Sequence, residues 1–312
     1  MRRQVTASWF LLPVTLLYLL ISGCCASTSG YKKPISDFQN ASSVVTESAR
    51  IYVIQLNKTQ RDAYIDRQVS EGKQIKLNEI EASQVFSPEA IAARLGALNE
   101  LSEYGTLLGQ LANSDAPAQI TGSAGDLANS LERLEGTINH MNASGDREFK
   151  GAFGPASILI GEVARFAVEK KIKDALDKAI IDGEEPVKKL ILVIRDDLEM
   201  AWQLKRSALT ENRVIYVDGY EAERRKGHDL IRLRRRGEEI KSVLDLWEAF
   251  PSSNPREGFD ALAAAHVALV DYARSPKKSE DLATFSAQME EFAARAKRVG
   301  DSVRRLQQSN NN

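Results

Sequence analysis

Residues 35–70 read ISDFQNASSVVTESARIYVIQLNKTQRDAYIDRQVS, and within them Phe38, Val45, Ala49, Tyr52, Leu56 and Ala63 recur at spacings of three, four and seven, with Val69 closing the series. Such a repeat sets the apolar side chains along one side of a helix about ten turns long. A helix of that length gains most of its stability by laying its apolar stripe against other elements, so the stretch predicts a helical bundle.

Working outward from it, the same pattern returns along the chain. Gly72 offers the first helix an end, and Ile75, Leu77 and Ile80 nearly alternate, which leaves a loop or a short strand-like passage open up to Phe86. Ser87-Pro88-Glu89 is a restart: a serine N-cap, a proline where no N–H is needed, and an acid facing the positive end of the helix dipole. The second helix is expected to run to Ala112 through Ile91, Leu95, Leu98, Leu101, Leu108 and Leu111, and a third, weakened by glycines, over 118–141. Three glycines and a proline make 142–155 the expected hinge.

The segment 156–168 (ASILIGEVARFAV) is the most apolar outside the N-terminus. It reads as the central buried helix of the bundle, since it is well short of a membrane span of about 20 residues and its Glu162 and Arg165 sit three apart, where they can pair. The competing reading is a membrane-inserting segment. A fourth helix is expected to end at Ile181, and a fifth to run from Pro186 to Tyr216 through Leu190, Val193, Ile194, Leu198, Trp202 and Leu209. Residues 218–250 either continue it with a bend near Gly219 or form a separate helix. Two more helices follow, one starting at Asn254-Pro255-Arg256-Glu257 with Phe259, Leu262, Ala265, His266, Leu269 and Tyr272, the other capped by Ser279-Glu280-Asp281 with Phe285, Met289, Phe292, Ala296, Val299, Val303 and Leu306. The short link between them predicts an antiparallel helix hairpin. The fold expected is all-α: an elongated, mostly antiparallel bundle of long helices over 35–312. A composition of 43% hydrophobic and 27% charged residues with only 7% aromatic suits aliphatic helices with charged outer faces.

Upstream of the bundle, Met1-Arg2-Arg3 leads into an apolar run from Trp9 to Ile21 that closes on Ile21-Ser22-Gly23-Cys24. Positive charge followed by a short apolar run is the pattern of an export signal. The closing four residues resemble the lipobox of bacterial lipoproteins: Ile21 at the aliphatic position, Ser22 and Gly23 at the small ones, Cys24 as the acceptor. The resemblance covers this segment alone. It implies a signal peptide over 1–23 and a diacylglyceryl, commonly palmitate-bearing, group on Cys24, with a flexible tether over 24–34. In that family the following residue sorts the product, and Cys25 in place of aspartate implies the outer membrane, with the domain facing the periplasm. Acyl chains contribute about 0.8 kcal/mol per buried CH₂, so two or three of them make a lasting anchor.

Both cysteines of the chain lie in this region, so the remainder has no thiol for a disulfide, a zinc site or a nucleophile. A net charge of −1 argues against whole-protein attraction to nucleic acid. His140, His228 and His266 stand far apart and form no HExxH pattern, and His266 on an apolar face reads as a hydrogen-bonded bundle histidine. Ser275 and Lys278 have an SxxK spacing without its companion motifs. No cofactor, metal or catalytic role is expected. An enzyme working through scattered carboxylates ranks third, behind a binding role and a membrane-active one built on 156–168.

The most basic stretch carries Arg224, Arg225, Lys226, Arg232, Arg234, Arg235 and Arg236. It offers a contact face for phosphate, lipopolysaccharide or an acidic partner, unless Glu221, Glu223, Glu238 and Glu239 answer it as a solvated surface. No aromatic ladder accompanies the arginines as it would in a single-strand nucleic-acid platform, which favours the solvated surface. The expected function is that of a lipid-anchored, non-catalytic binding or scaffold module holding an envelope protein partner.

Overall fold

The structure, a computed structural model, describes residues 29–113, 176–177, 180–181, 183–227 and 229–309. Among these residues there are seven α-helices and no strand: α1 (Ser29–Glu71), α2 (Leu77–Ala82), α3 (Pro88–Asn113), α4 (Glu184–Lys226), α5 (Leu230–Ala249), α6 (Arg256–Arg274) and α7 (Ser279–Ser309), with a 3-10 turn at Pro251–Ser253. The chain is therefore the all-α bundle that its repeat implies. Cys24 and the signal segment, the expected third helix at 118–141, the hinge at 142–155, the apolar segment 156–168, His140 and His228 lie outside the described residues.

The stretch that predicts the bundle is also its centre. α1 packs most extensively against α3 and α7, then against α4, with a lighter contact to α6. Phe38, Val45, Ala49, Tyr52, Val53 and Leu56 are buried almost completely between them. Each large apolar side chain so buried contributes about 1.5–3 kcal/mol. The α1–α3 and α6–α7 pairs run antiparallel. Asn57 of α1 donates to the Phe86 carbonyl (2.6 Å) and accepts from the Phe86 amide (3.0 Å) at the entry of α3. Farther down α3, Gly105 lies against Gln39 and Ser42 of α1. The α6–α7 hairpin closes with Tyr272 and Phe285 stacked at 4.6 Å.

Across longer connections α1 finds parallel neighbours. Tyr31 meets Phe285, Phe38 meets Phe292, and Gly300 faces Val44, so α1 and α7 run the same way. A β-carbon at Gly300 would come within 2.8 Å of Val44, so glycine is what lets these two backbones approach. α4 also runs with α1, its Lys205 beside Gln55 and its Tyr216 beside Asp66.

Three boundaries differ from the sequence expectation. α1 begins at Ser29, inside the stretch read as a flexible tether, and Pro34 lies within it. Tertiary packing overrides the glycine and proline there: Tyr31 and Ile35 are buried, and Tyr31 is wedged edge-on against Tyr272 and Phe285. At its other end the apolar stripe stops at Ala63, and Val69 is exposed. The ambiguous passage after Gly72 is neither loop throughout nor strand, because Leu77–Ala82 forms the short helix α2. Finally, α4 continues through Gly219, and the chain turns at Gly227, whose φ of 153° suits glycine. Asp229 caps the following helix by accepting from the amides of Ile231 and Arg232.

Candidate functional site

The basic stretch becomes the apex of the α4–α5 hairpin. α4 has no buried residue beyond Asn212 and α5 has none except Val243, so the far part of the hairpin stands clear of the core. Arg224 pairs with Glu221 (2.7 Å), Lys226 with Glu223 (3.9 Å), and Arg232 with both Glu223 (3.3 Å) and Asp229 (3.1 Å). Lower on α5, Arg235 (3.5 Å) and Arg236 (2.8 Å) converge on Glu239, while Glu238 takes Lys241 (2.9 Å). Most of these side chains are largely exposed, and such pairs contribute about 0–1 kcal/mol each. Arg225 is exposed at the apex. The structure thus places all seven residues of the basic stretch on one hairpin, with Glu221, Glu223 and Asp229 paired near its apex and Glu238 and Glu239 toward its base.

Below the apex, α1, α4 and α5 enclose a polar groove of about 380 Å³. Asp62, Asp66, Asn212, Tyr216, Glu238 and Glu239 are among its walls, with Arg235 on its upper edge. Tyr216 donates to Asp66 at 2.8 Å. Burial pushes the Asp66 carboxyl up, Tyr216 opposes this by donating to it, and the nearby Asp62 and Glu239 charges add to the rise. The phenol of Tyr216 is pushed up in turn by burial and by Asp66. Asn212 Oδ1 is buried with no hydrogen-bond partner. The four carboxylates of the walls outnumber their two cations, Lys58 and Arg235, so the groove suits a donor-bearing group such as a partner's lysine or arginine side chain. Asp62, Asp66 and Asn212 were not singled out from the sequence, and Arg235, Glu238 and Glu239 were named only as parts of the charged stretch. The available signal was the one-turn spacing of Asp62 with Asp66 and of Asn212 with Tyr216, which sets each pair on one face of its helix.

His266 is a buried bundle residue, as its apolar surroundings imply, with Nε2 3.2 Å from the Tyr104 hydroxyl. Burial, reinforced by Lys188, holds its pKa down at about 4. The unfolded chain takes up a proton near pH 6.5, whereas the native ring does so only near 4. Stability from this group is therefore full above pH 6.5 and is lost as pH falls toward 4, by about 3 kcal/mol in total. His266→Gln is expected to flatten that part of the stability–pH curve, measured by urea unfolding between pH 4 and 7.

The SxxK serine is occupied at a helix end. Ser275 Oγ donates to the Tyr272 carbonyl (2.9 Å) and accepts from the Lys277 amide (3.2 Å). Lys277, at φ 61°, turns its Nζ back onto the last carbonyls of α6 and pairs with Asp177 at 3.2 Å. Among the described residues no group of His, Cys, Asp and Glu side chains could hold a metal ion, and no helix is long and apolar enough to cross a membrane.

Fold and site together define an all-α bundle that displays a charged helical hairpin. No protein family, curated protein or solved structure matches the chain.

Proposed function

We propose that this chain is a lipid-anchored, non-catalytic scaffold of the bacterial cell envelope, held in the outer membrane through Cys24 and facing the periplasm. One observation carries the reading: the two ends of the bundle have different chemistry. α1 starts at Ser29, five residues after Cys24. It runs parallel to α4, so the polar groove and the hairpin lie at the end remote from the anchor. From Ser29 to Asp66 is about 55 Å at 1.5 Å per residue, and α4 carries the apex about 15 Å farther. A lipid at one end therefore sets the height at which the groove is presented, and the groove and its flanking helix faces hold the envelope protein partner.

Labelled palmitate supplied to expressing cells is expected to enter the wild type and not Cys24→Ala, with the wild type fractionating to the outer membrane. A photo-reactive residue at position 238 is expected to capture a discrete envelope protein, and Asp66→Ala with Asn212→Ala to reduce that capture. Equal label in both chains would overturn the anchor, and no adduct from position 238 would overturn the scaffold.

A further inference from the structure

We propose that the apex of the α4–α5 hairpin is a docking site for an anionic phospholipid surface, separate from the N-terminal lipid and at the opposite end of the molecule. Leu230 and Ile231 are 76% and 84% exposed, the highest values among the exposed large hydrophobic residues described. They sit in the first turn of α5, immediately beyond the chain reversal at Gly227. Among the described residues no element covers them, because the hairpin has left the core well below.

The charge around them is predominantly positive, although Glu221, Glu223 and Asp229 pair with Arg224, Lys226 and Arg232. Between residues 224 and 236 there are seven arginine or lysine side chains against the single carboxylate of Asp229, which is engaged as the N-cap of α5. Counting on to both flanks, over 221–241, there are eight basic and five acidic side chains. The excess is thus concentrated at the apex and diluted toward the base. Two bare aliphatic side chains ringed by arginines match an interface with a negatively charged headgroup layer above an apolar interior.

The shape selects lipid over an acidic protein. The polar groove is lined from Arg235 downward, and Leu230 and Ile231 stand outside it. Two adjacent, highly exposed aliphatic side chains at a hairpin tip have little with which to enclose a partner's side chain, whereas a fluid bilayer closes around a protruding wedge. Beyond the Tyr216–Asp66 contact α4 runs on by about 15 Å to Lys226 while α1 runs on by about 7 Å to Glu71, so the apex reaches the headgroup layer before the end of α1 does.

The test uses the full chain carrying Cys24→Ala and Cys25→Ala, with one cysteine introduced as Ile231→Cys and labelled with an environment-sensitive fluorophore. A second chain carries the label through Val214→Cys on the stalk. Vesicles of phosphatidylcholine with phosphatidylglycerol are expected to blue-shift and brighten the label at 231 and leave that at 214 unchanged. Pure phosphatidylcholine vesicles are expected to do neither.

Arg224→Gln, Arg225→Gln and Lys226→Gln together are expected to weaken the response on the order of a hundredfold, since each basic side chain near an anionic surface is worth about fivefold. Raising the salt concentration should weaken it also. These residues are exposed, and unchanged helical circular dichroism would show the variants folded. An equal response to neutral vesicles, no response to either, or an equal response to poly-glutamate would overturn the proposal; the last would assign the apex to an acidic protein. Because this chain lacks Cys24 and the label reports only its own surroundings, the result is independent of whether the N-terminal anchor holds.

Discussion

Replacing Asp197 with alanine is expected to destabilise the bundle by about 3–5 kcal/mol, because it strands a buried guanidinium. The Arg94 and Asp197 side chains are 3% and 7% exposed. Arg94 Nε and Nη2 each reach a separate carboxylate oxygen at 2.8 Å, Nη1 donates to the Ala90 carbonyl at 3.1 Å, and the guanidinium lies 3.6 Å over the Phe86 ring. The pair ties α3 to α4 across an apolar setting that includes Val53, Leu98 and Ile194. With the carboxylate gone, the arginine keeps its desolvation cost and loses its compensation. The double variant Arg94→Met with Asp197→Leu should recover most of the loss, since replacing a buried ion pair by apolar groups is often neutral. Urea unfolding at pH 7 measures both; a single-variant loss below about 1 kcal/mol would mean that water reaches the pair.

Lys205→Met is expected to act in the opposite direction. Lys205 is fully buried on α4, with Nζ 3.5 Å from Gln55 Oε1 and 5.1 Å from the centre of the Tyr52 ring. Burial pulls its pKa down to about 8, and Lys58 adds to the effect. At neutral pH both the native and the unfolded chain hold this proton, and the native state bears its desolvation. A shift of that size corresponds to about 3 kcal/mol, so a methionine of similar length should stabilise the bundle by roughly 2–3 kcal/mol at pH 7. The dependence on pH identifies the cause. The advantage of methionine is full below pH 8, shrinks as the native lysine loses its proton between 8 and 10.5, and is gone above. An advantage that persisted at pH 11 would trace to packing instead of charge.

These two sites were not legible in the sequence, and the reason is physical. Arg94 sits among alanines and leucines in a helix that reads as amphipathic, where a single charge passes for a surface residue. Lys205 looks the same within α4. Only the packing of a third helix against each turns them inward. The helices themselves were legible wherever apolar spacing was regular: in α7, Phe285, Met289, Phe292, Ala296, Val299, Val303 and Leu306 are all buried. Starts were legible where a cap had local chemistry, as at Asn254, whose Oδ1 accepts from the Arg256 amide at 2.9 Å. The turn at Gly227 carried such a signal too, a glycine followed two residues later by a capping aspartate, but Gly219 competed for it. Arg236 lies 3.9 Å from where a Gly219 β-carbon would be, a close approach that a helix accommodates without bending. The polar groove was illegible because Asp62 and Asp66 of α1 meet Glu238 and Glu239 of α5 only through α4, whose parallel pairing with α1 no short-range pattern encodes.

The parallel pairing of α1 with α7 governs the order in which the molecule can assemble. Lys33 and Glu290, which meet at 3.0 Å between α1 and α7, are 257 residues apart. A chain delivered N-terminus first can cover one flank of α1 with α3 early, but the flank of Tyr31, Phe38 and Val44 stays bare until α7 has emerged. Contacts so distant in sequence slow folding, because the loop must close before they form. The interval between release of the first helix and arrival of the last is then a period of exposed apolar surface, during which a holding chaperone would find its binding site on α1. Truncation within α7 would prolong that period indefinitely, leaving the chain open to proteolysis along its first helix.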